Sequence, residues 1–415
     1  MTKNLHICLL TSARVFEIAY GGEERFTVLL AAWLARQGHD VTLMGSSFAG
    51  IKTKHLKSEA EAEADYDPNR ILPTEKKKIK VLYPPYFVYF LSRFVILLLW
   101  ILKILSISTK CPITLIHAQD TGFSGLAAVI SAKLLRIPVI LSSHGIRHKS
   151  LESSIHGRFN KILVKIEFRL DLFTIRNADG IIVVNPSIGD YFKKIAVPKR
   201  TNFIPVPIQL KNFKFSQMSR DLIRKYLGID EKTKVIGFVG RFSPEKNLLT
   251  LLMSFKKVVL DNPSVKLVLV GTGPDECELK EYVIKNAIND KVIFSGVRYD
   301  IDKFLSGFDI FVLPSYTEGL STALLEAMAS GRAIICSDIP ANRELVMHNQ
   351  EAILVNPHCP EEFTRAIHLL STDDALRSRL GANAKTKAGQ YDESIVFPRI
   401  VRYYKFIYTE IKKRA

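Results

Sequence analysis

The chain has 415 residues, 47% hydrophobic and 24% charged, with 22 glycines, 18 prolines and five cysteines. That balance excludes global disorder, collagen-like repeats and a small disulfide-stapled scaffold, and the length calls for two domains of roughly 200 residues each. The net charge of +17 is uneven: residues 1–200 hold 28 Lys and Arg against 16 Asp and Glu, residues 201–415 hold 30 against 25. A basic front half suits an anionic membrane surface, nucleic acid or a phosphorylated substrate, and charge alone does not choose among them.

Short apolar runs alternate with helical stretches from end to end, the pattern of parallel sheets built from βαβ units. In the front half the expected strands are 5–10, 41–44, 113–116, 139–141 and 181–184, with helices such as 23–37 and 123–135. The N-terminal apolar run is shorter than a signal-peptide core and is followed by Arg14 and Glu17, so a cytoplasmic protein is expected. Residues 52–80 hold seven lysines, four glutamates and a single aromatic, and read as a mobile loop. The apolar stretch 86–107 is interrupted by Arg93 and Lys103, leaving too few residues to span a bilayer. At 100° per residue Arg93, Lys103 and Ser106 fall on one side and the opposite face is wholly apolar. Two readings fit: an interfacial helix whose cations meet headgroups, and a helix buried against the first sheet.

Pro205 and Pro207 in IPVPIQLKNFKFSQ mark the connection between domains. The expected division is 1–205, completed by about 394–415, and 206–393. In the second half the expected strands are 235–239, 265–270, 291–294, 310–313, 333–336 and 353–355. The cysteines stand far apart, with no C-x-x-C and no His pair at metal-ligand spacing, and read as reduced core residues.

Three elements of the second half carry chemistry. In residues 314–338 a strand ends at Pro314, a loop holds Glu318 and Gly319, and Ser321 or Thr322 can cap a helix that stops before Gly331. Ligands of open α/β sheets sit beyond the carboxyl ends of strands, and free N–H groups at a helix start favour phosphate. Glu318 lies at the mouth and Glu326 about one turn into the helix, so two carboxylates at different depths can bond two hydroxylated groups of one ligand. In GFVGRFSPEKN, Arg241 and Lys246 follow a strand and form a candidate diphosphate clamp. The third element, LVLVGTGPDE, lacks the last glycine of a dinucleotide fingerprint, which argues against an NAD site. In the first half, the pair Gly21-Gly22 ends the first strand–loop unit and reads as a ligand loop beside the helix beginning at Glu23, His144 follows a strand and faces the same side, and His117 and Asp120 are candidates for the acceptor side.

These residues resemble the retaining family-4 glycosyltransferases of the GT-B fold, over nearly the whole chain. The resemblance runs through Tyr20-Gly21-Gly22-Glu23, Ser143-His144-Gly145, Gly240-Arg241 with Lys246, Gly271-Thr272-Gly273-Pro274, and Glu318 to Glu326 inside P-S-x-x-E-G-x-x-x-x-x-L-E-A-M-A-x-G. It implies an α/β protein of two Rossmann-like domains facing a central cleft, with a C-terminal helix crossing back to the first. The acceptor would bind the first domain and a nucleotide-diphosphate sugar, carrying UDP or GDP, the second. Glu318 would contact the donor sugar, with the N–H groups of Gly319, Leu320 and Ser321 near sugar and phosphates. Glu326 would hold the ribose, Val297 and Arg298 would lie near the base, and His144 near the transferred sugar. Arg241 and Lys246 would neutralise the leaving diphosphate in place of a metal, and no cofactor is expected. Asp300-x-Asp302 opens an expected helix and reads as a surface or capping pair. The hinge departs from the family's frequent I-P-N-G-V-D.

The expectation is a retaining, metal-independent hexosyltransferase acting on a glycan or lipid-linked acceptor for cell-surface polysaccharide or glycolipid synthesis, peripheral to the cytoplasmic face of a membrane. A sugar-nucleotide epimerase and a silent nucleotide-sugar-binding scaffold are the alternatives. A nucleic-acid partner is not expected, since no aromatic–basic repeat or known module appears.

Overall fold

The computed structural model describes residues 4–12, 22–47, 50–56, 86–145 and 158–413. The chain divides into two compact units, 1–206 with 397–415, and 207–396.

The first unit runs β1 (His6–Leu10), α1 (Gly22–Arg36), β2 (Asp40–Ser47), β3 (Gly50–Leu56), α2 (Tyr86–Lys110), β4 (Leu115–Ala118), α3 (Phe123–Leu135), β5 (Val139–Ser143), α4 (Arg158–Asn177), β6 (Gly180–Val183), α5 (Pro186–Ile195) and β7 (Thr201–Phe203). Its sheet has the order β3-β2-β1-β4-β5-β6-β7, parallel except where β3 pairs antiparallel with β2. β1, β4, β5 and β6 are buried at every position, because helices cover both faces of a parallel sheet and its strands must be apolar throughout. Asn185 caps α5 by accepting from Ser187 N at 2.7 Å, with Pro186 at the first helical position.

The second unit runs α6 (Gln217–Tyr226), β8 (Lys234–Val239), α7 (Leu248–Asp261), β9 (Val265–Val270), α8 (Glu276–Lys285), β10 (Val292–Gly296), α9 (Ile301–Gly307), β11 (Ile310–Leu313), α10 (Thr322–Ala329), β12 (Ala333–Ser337), α11 (Pro340–Arg343), β13 (Ile353–Val355), α12 (Pro360–Thr372) and α13 (Asp374–Ala388). Its strands are all parallel in the order β10-β9-β8-β11-β12-β13. The last helix, α14 (Glu393–Lys412), begins in the second unit and belongs to the first from Phe397 onward. There it buries Phe397, Ile400, Tyr404 and Ile407.

The expectation of a loop over 52–80 is corrected at its start: residues 52–56 belong to β3, in register from Val41 opposite Leu56 to Ser47 opposite Gly50. Lysine-rich composition resembles a loop, yet it also suits an edge strand, where charge discourages further pairing. The remainder of that stretch, 57–80, lies outside the described residues. β7 was not expected either; three residues are too few for a pattern.

α2 combines features of both readings offered for it. Trp100, Ile104 and Ile107 are buried, whereas Phe94, Val95, Leu98, Leu99 and Leu102 are 41–62% exposed. Arg93 departs from the expected polar stripe: it turns inward, 3.0 Å from the buried Glu167 of α4 and over the Phe123 ring. An ion pair joining two helices of one layer explains the charge that interrupts the apolar run.

Candidate active site

In the second unit, β8 and β11 are neighbours, and the loops after them converge. After β8 a 3-10 turn, Pro244–Lys246, leads into α7 through Asn247, whose φ of +57° is the left-handed conformation that Asn tolerates. The buried Asn247 amide donates to Pro314 O at 3.0 Å and Pro357 O at 2.8 Å, and Tyr316 N donates to Glu245 O at 2.8 Å. These bonds fasten the turn against the end of β11. The consequence is that Lys246 Nζ lies 2.7 Å from Glu318 Oε1, which also accepts from Ser315 Oγ at 2.7 Å. Both bonds fall on Oε1, and among the described residues Oε2 has no partner. Asn247 went unrecognised in the sequence; its signal is an Asn directly before a helix start.

Ser321 Oγ accepts from Leu324 N at 3.3 Å, capping α10, and Gly331 follows the helix at φ +66°. Glu326 and Leu320 are buried, while Gly319 is half-buried. Arg241 is exposed and, among the described residues, has no hydrogen-bond or ion-pair partner. The loop holding it rests directly on the G-T-G loop, with Phe242 N bonded to Thr272 O at 2.9 Å. A Cβ on Gly271 would stand 1.9 Å from Gly240 O, and one on Gly273 2.0 Å from Phe242 O. The glycines therefore serve the close approach of two backbones. Arg298 is held by both oxygens of Asp300 at 3.0 Å and lies over the Tyr226 and Phe304 rings. Asp300 precedes α9 but makes no side-chain cap, so its partner is Arg298 rather than the helix N-terminus.

In the first unit, Thr11 Oγ1 at the end of β1 donates to Glu23 of α1 at 2.8 Å. Gly22 opens α1, whereas Gly21 lies outside the described residues. Asp120 accepts from Gly122 N at 2.7 Å, from Ser124 Oγ and from Ser12 N at 3.3 Å, a carboxylate placed at the start of α3. His144 is half-buried, with Nε2 3.4 Å from Gln119 Oε1 and its ring edge-on to Phe26 at 5.0 Å. Burial lowers its pKa to about 4, with Asp120 opposing, so the ring is neutral near pH 7 and can donate or accept a hydrogen bond.

His117 does not line an accessible surface, which corrects the expectation for it. It is wholly buried, with Nδ1 2.6 Å from Tyr404 Oη of α14 and Nε2 2.8 Å from Ser142 Oγ. A strand with both faces covered directs His117 into the core, and both ring nitrogens are engaged there. Burial, with a smaller contribution from His144, lowers its pKa to about 3. Because the folded value lies below the ordinary 6.5, the unfolded chain binds more protons, so this contribution to stability is present above pH 6.5 and is lost as pH falls. Acidification from pH 6.5 to 5 is expected to cost about 2 kcal/mol at this residue. Urea titrations at both pH values check this: the loss should shrink in His117→Gln, and an equal loss in both proteins would refute it.

Two α/β units, each built on a largely parallel sheet with polar loops after its strands, are of the Rossmann-like class, and comparison with known proteins narrows this further. Residues 20–212 match the model for glycosyltransferase family 4, and residues 219–387 match that for glycosyl transferases group 1. The chain belongs to the family-4 glycosyltransferases, with the GT-B fold. It is 28% identical over 285 residues to the UDP-Gal:alpha-D-GlcNAc-diphosphoundecaprenol alpha-1,3-galactosyltransferase of Escherichia coli, covering 67% of this chain and 70% of that one. It is 30% identical over 256 residues to the alpha-monoglucosyldiacylglycerol synthase of Streptococcus pneumoniae, covering 59% and 56%. Among solved structures, the sucrose-phosphate synthase of Thermosynechococcus elongatus superposes with a TM-score of 0.78 at 19% identity, covering 98% of this chain and all of that one.

Proposed function

We propose that this protein is a retaining, metal-independent hexosyltransferase that moves a sugar from a UDP- or GDP-sugar to a lipid-linked or glycan acceptor on the cytoplasmic face of a membrane, in cell-surface polysaccharide or glycolipid synthesis. The observation that carries this reading is the pairing of Lys246 with Glu318 at the carboxyl ends of β8 and β11, with the exposed Arg241 in the loop after β8 having no hydrogen-bond or ion-pair partner among the described residues. Arg241 and Lys246 meet the diphosphate as negative charge develops on it, while Glu318 Oε2 accepts from donor-sugar hydroxyls. Gly319, Leu320 and Ser321 present backbone N–H groups near the sugar and phosphates, Glu326 holds the ribose, and Arg298 lies near the base. In the first unit, Gly22 and His144 are assigned to the transferred sugar and Asp120 to the acceptor. The bond from the anomeric carbon to the diphosphate breaks, the bond to the acceptor oxygen forms on the same face, and the departing phosphate oxygen takes the acceptor proton. The relatives' names support the donor and acceptor classes: one names UDP-Gal and a diphosphoundecaprenol, the other a diacylglycerol. No observation favours the epimerase or the silent scaffold.

The test is a panel of UDP-, GDP- and ADP-sugars in EDTA, following nucleoside diphosphate release with and without lipid extract. Release from one donor, increased by lipid and unaffected by EDTA, is expected. Loss of release in EDTA would refute metal independence, and release indifferent to acceptor would refute transfer.

The membrane surface is supported by the exposed apolar face of α2. On α4 the exposed residues Ile162, Ile166 and Phe173 are interspersed with exposed Lys161, Lys165 and Arg169, and the Arg93–Glu167 pair joins the two helices. Apolar side chains ringed by cations fit an anionic lipid surface. Among the described residues no helix is long and apolar enough to cross a membrane. The wild-type protein is expected to float with phosphatidylglycerol vesicles, and Val95→Asp/Leu98→Asp/Leu102→Asp to lose this by more than about tenfold, since each buried side chain contributes ~1.5–3 kcal/mol. Equal flotation of the two proteins would refute the contact.

A further inference from the structure

The outer edge of the first unit's sheet holds an open groove that neither the donor nor the acceptor reading uses. α14 runs along β7 there: Arg399 donates to Phe203 O at 2.8 Å, and Tyr403 Oη approaches Arg200 O at 3.5 Å. Between helix and strand lies a space of about 630 Å³ lined by Arg200, Asn202, Arg399, Arg402, Tyr403 and Phe406. Arg399 and Arg402 are three residues apart and Phe406 lies one turn further on, so all three share one helix face. Arg200 reaches the same space from the strand side, 5.8 Å from the Phe406 ring centroid.

Among the described residues, Arg200 alone of the three arginines has a carboxylate partner, Glu410 at 3.4 Å. Arg402 is exposed and has no hydrogen-bond or ion-pair partner among the described residues. Guanidinium has five N–H donors and no acceptor, and the Asn202 amide adds two donors and one acceptor oxygen, so donors dominate the lining. A neutral ligand rich in donors would find little to bond, whereas a tetrahedral oxyanion takes several such donors at once, and Arg binds it bidentately. The groove is open to solvent and has room for more than one phosphate. Phe406, 50% exposed, gives the remainder of the ligand an apolar wall.

We infer that this edge groove binds a phosphate ester or diphosphate, with its oxyanion on Arg399, Arg402 and Arg200 and its organic portion against Phe406. None of these residues belongs to the donor site, so the inference stands apart from the proposed function. The chemistry is shared by soluble phosphate esters and by phospholipid headgroups, and the experiment separates them.

The full chain carrying Lys246→Ala, which removes the diphosphate cation of the donor site, is titrated calorimetrically with pyrophosphate and glycerol 3-phosphate at low ionic strength. The titration is repeated with Arg402→Ala added. A parallel arm measures sedimentation with phosphatidylglycerol vesicles for the Val95→Asp/Leu98→Asp/Leu102→Asp protein with and without Arg402→Ala. Soluble-phosphate affinity that falls about tenfold or more on losing Arg402 supports a soluble ester. A comparable fall confined to the vesicle arm supports a headgroup. Binding unchanged in both arms, or absent from both, overturns the inference. Arg402 is exposed, and an unchanged thermal midpoint excludes misfolding; Arg402→Lys should restore part of the affinity, as a point charge without the fork.

Discussion

Lys246→Ala is expected to lower sugar transfer by about 10²-fold or more, with the loss in kcat and kcat/KM together rather than in KM alone. The competing expectation is a surface ion pair worth ~0–1 kcal/mol, whose removal would leave turnover nearly unchanged. Geometry separates the two. The Lys246 side chain is 20% exposed and the Glu318 side chain 9%, and the turn holding the lysine is fastened to the end of β11 through Asn247. A cation fixed in this way does not need to reorganise when charge develops on the departing phosphate. Arg241→Ala should act in the same direction, and Glu318→Gln should lower transfer by weakening both the sugar contact and the hold on Lys246. Steady-state kinetics with the preferred donor measure all three. Unchanged turnover in both cation variants would dispose of the clamp, and a thermal midpoint close to wild type would show that a loss is not a folding defect.

Asp309→Ala is expected to destabilise the second unit by ~3–5 kcal/mol, the usual cost of removing one partner from a buried ion pair. Asp309 precedes β11 and is 9% exposed; it accepts from Arg220 at 2.7 Å, from Arg224 at 2.6 Å and from Val235 N of β8 at 2.8 Å. Arg224 is buried and also donates to the carbonyl oxygens of Gly307, Asp230, Glu231 and Thr233. Burial lowers the Arg224 pKa, although Asp309 opposes that shift, so removing Asp309 leaves a buried cation without its counter-charge. Because β8 and β11 carry Lys246 and Glu318 at their far ends, the loss reaches the candidate site through the strands. Calorimetry should show a fall on the order of 10 °C in the unfolding of this unit. Asp309→Ala/Arg224→Leu should recover part of it, since an apolar pair leaves no unpaired charge. A fall of 1 °C or less for the single variant would refute the assignment.

Much of the fold was legible because a parallel sheet covered on both faces requires apolar strands, and such runs stand out: β9, β11 and β13 fall where the sequence places them. β3 and β7 were not legible, one because lysines mask an edge strand and the other because it is three residues long. Composition likewise set two α/β units and a basic front half, and the loop motifs set which residue types stand at the carboxyl ends of strands. Those are local properties, written in neighbouring residues. The tertiary structure alone decided that Arg93 turns inward to Glu167, that His117 is consumed by Tyr404 at a separation of 287 residues, and that Asn247 fastens Lys246 beside Glu318. It also decided that three arginines from α14 and the start of β7 share one groove. The physical reason is the same in each case: a polar side chain has several partners within reach of its chemistry, and only the packing of distant segments selects which one it meets.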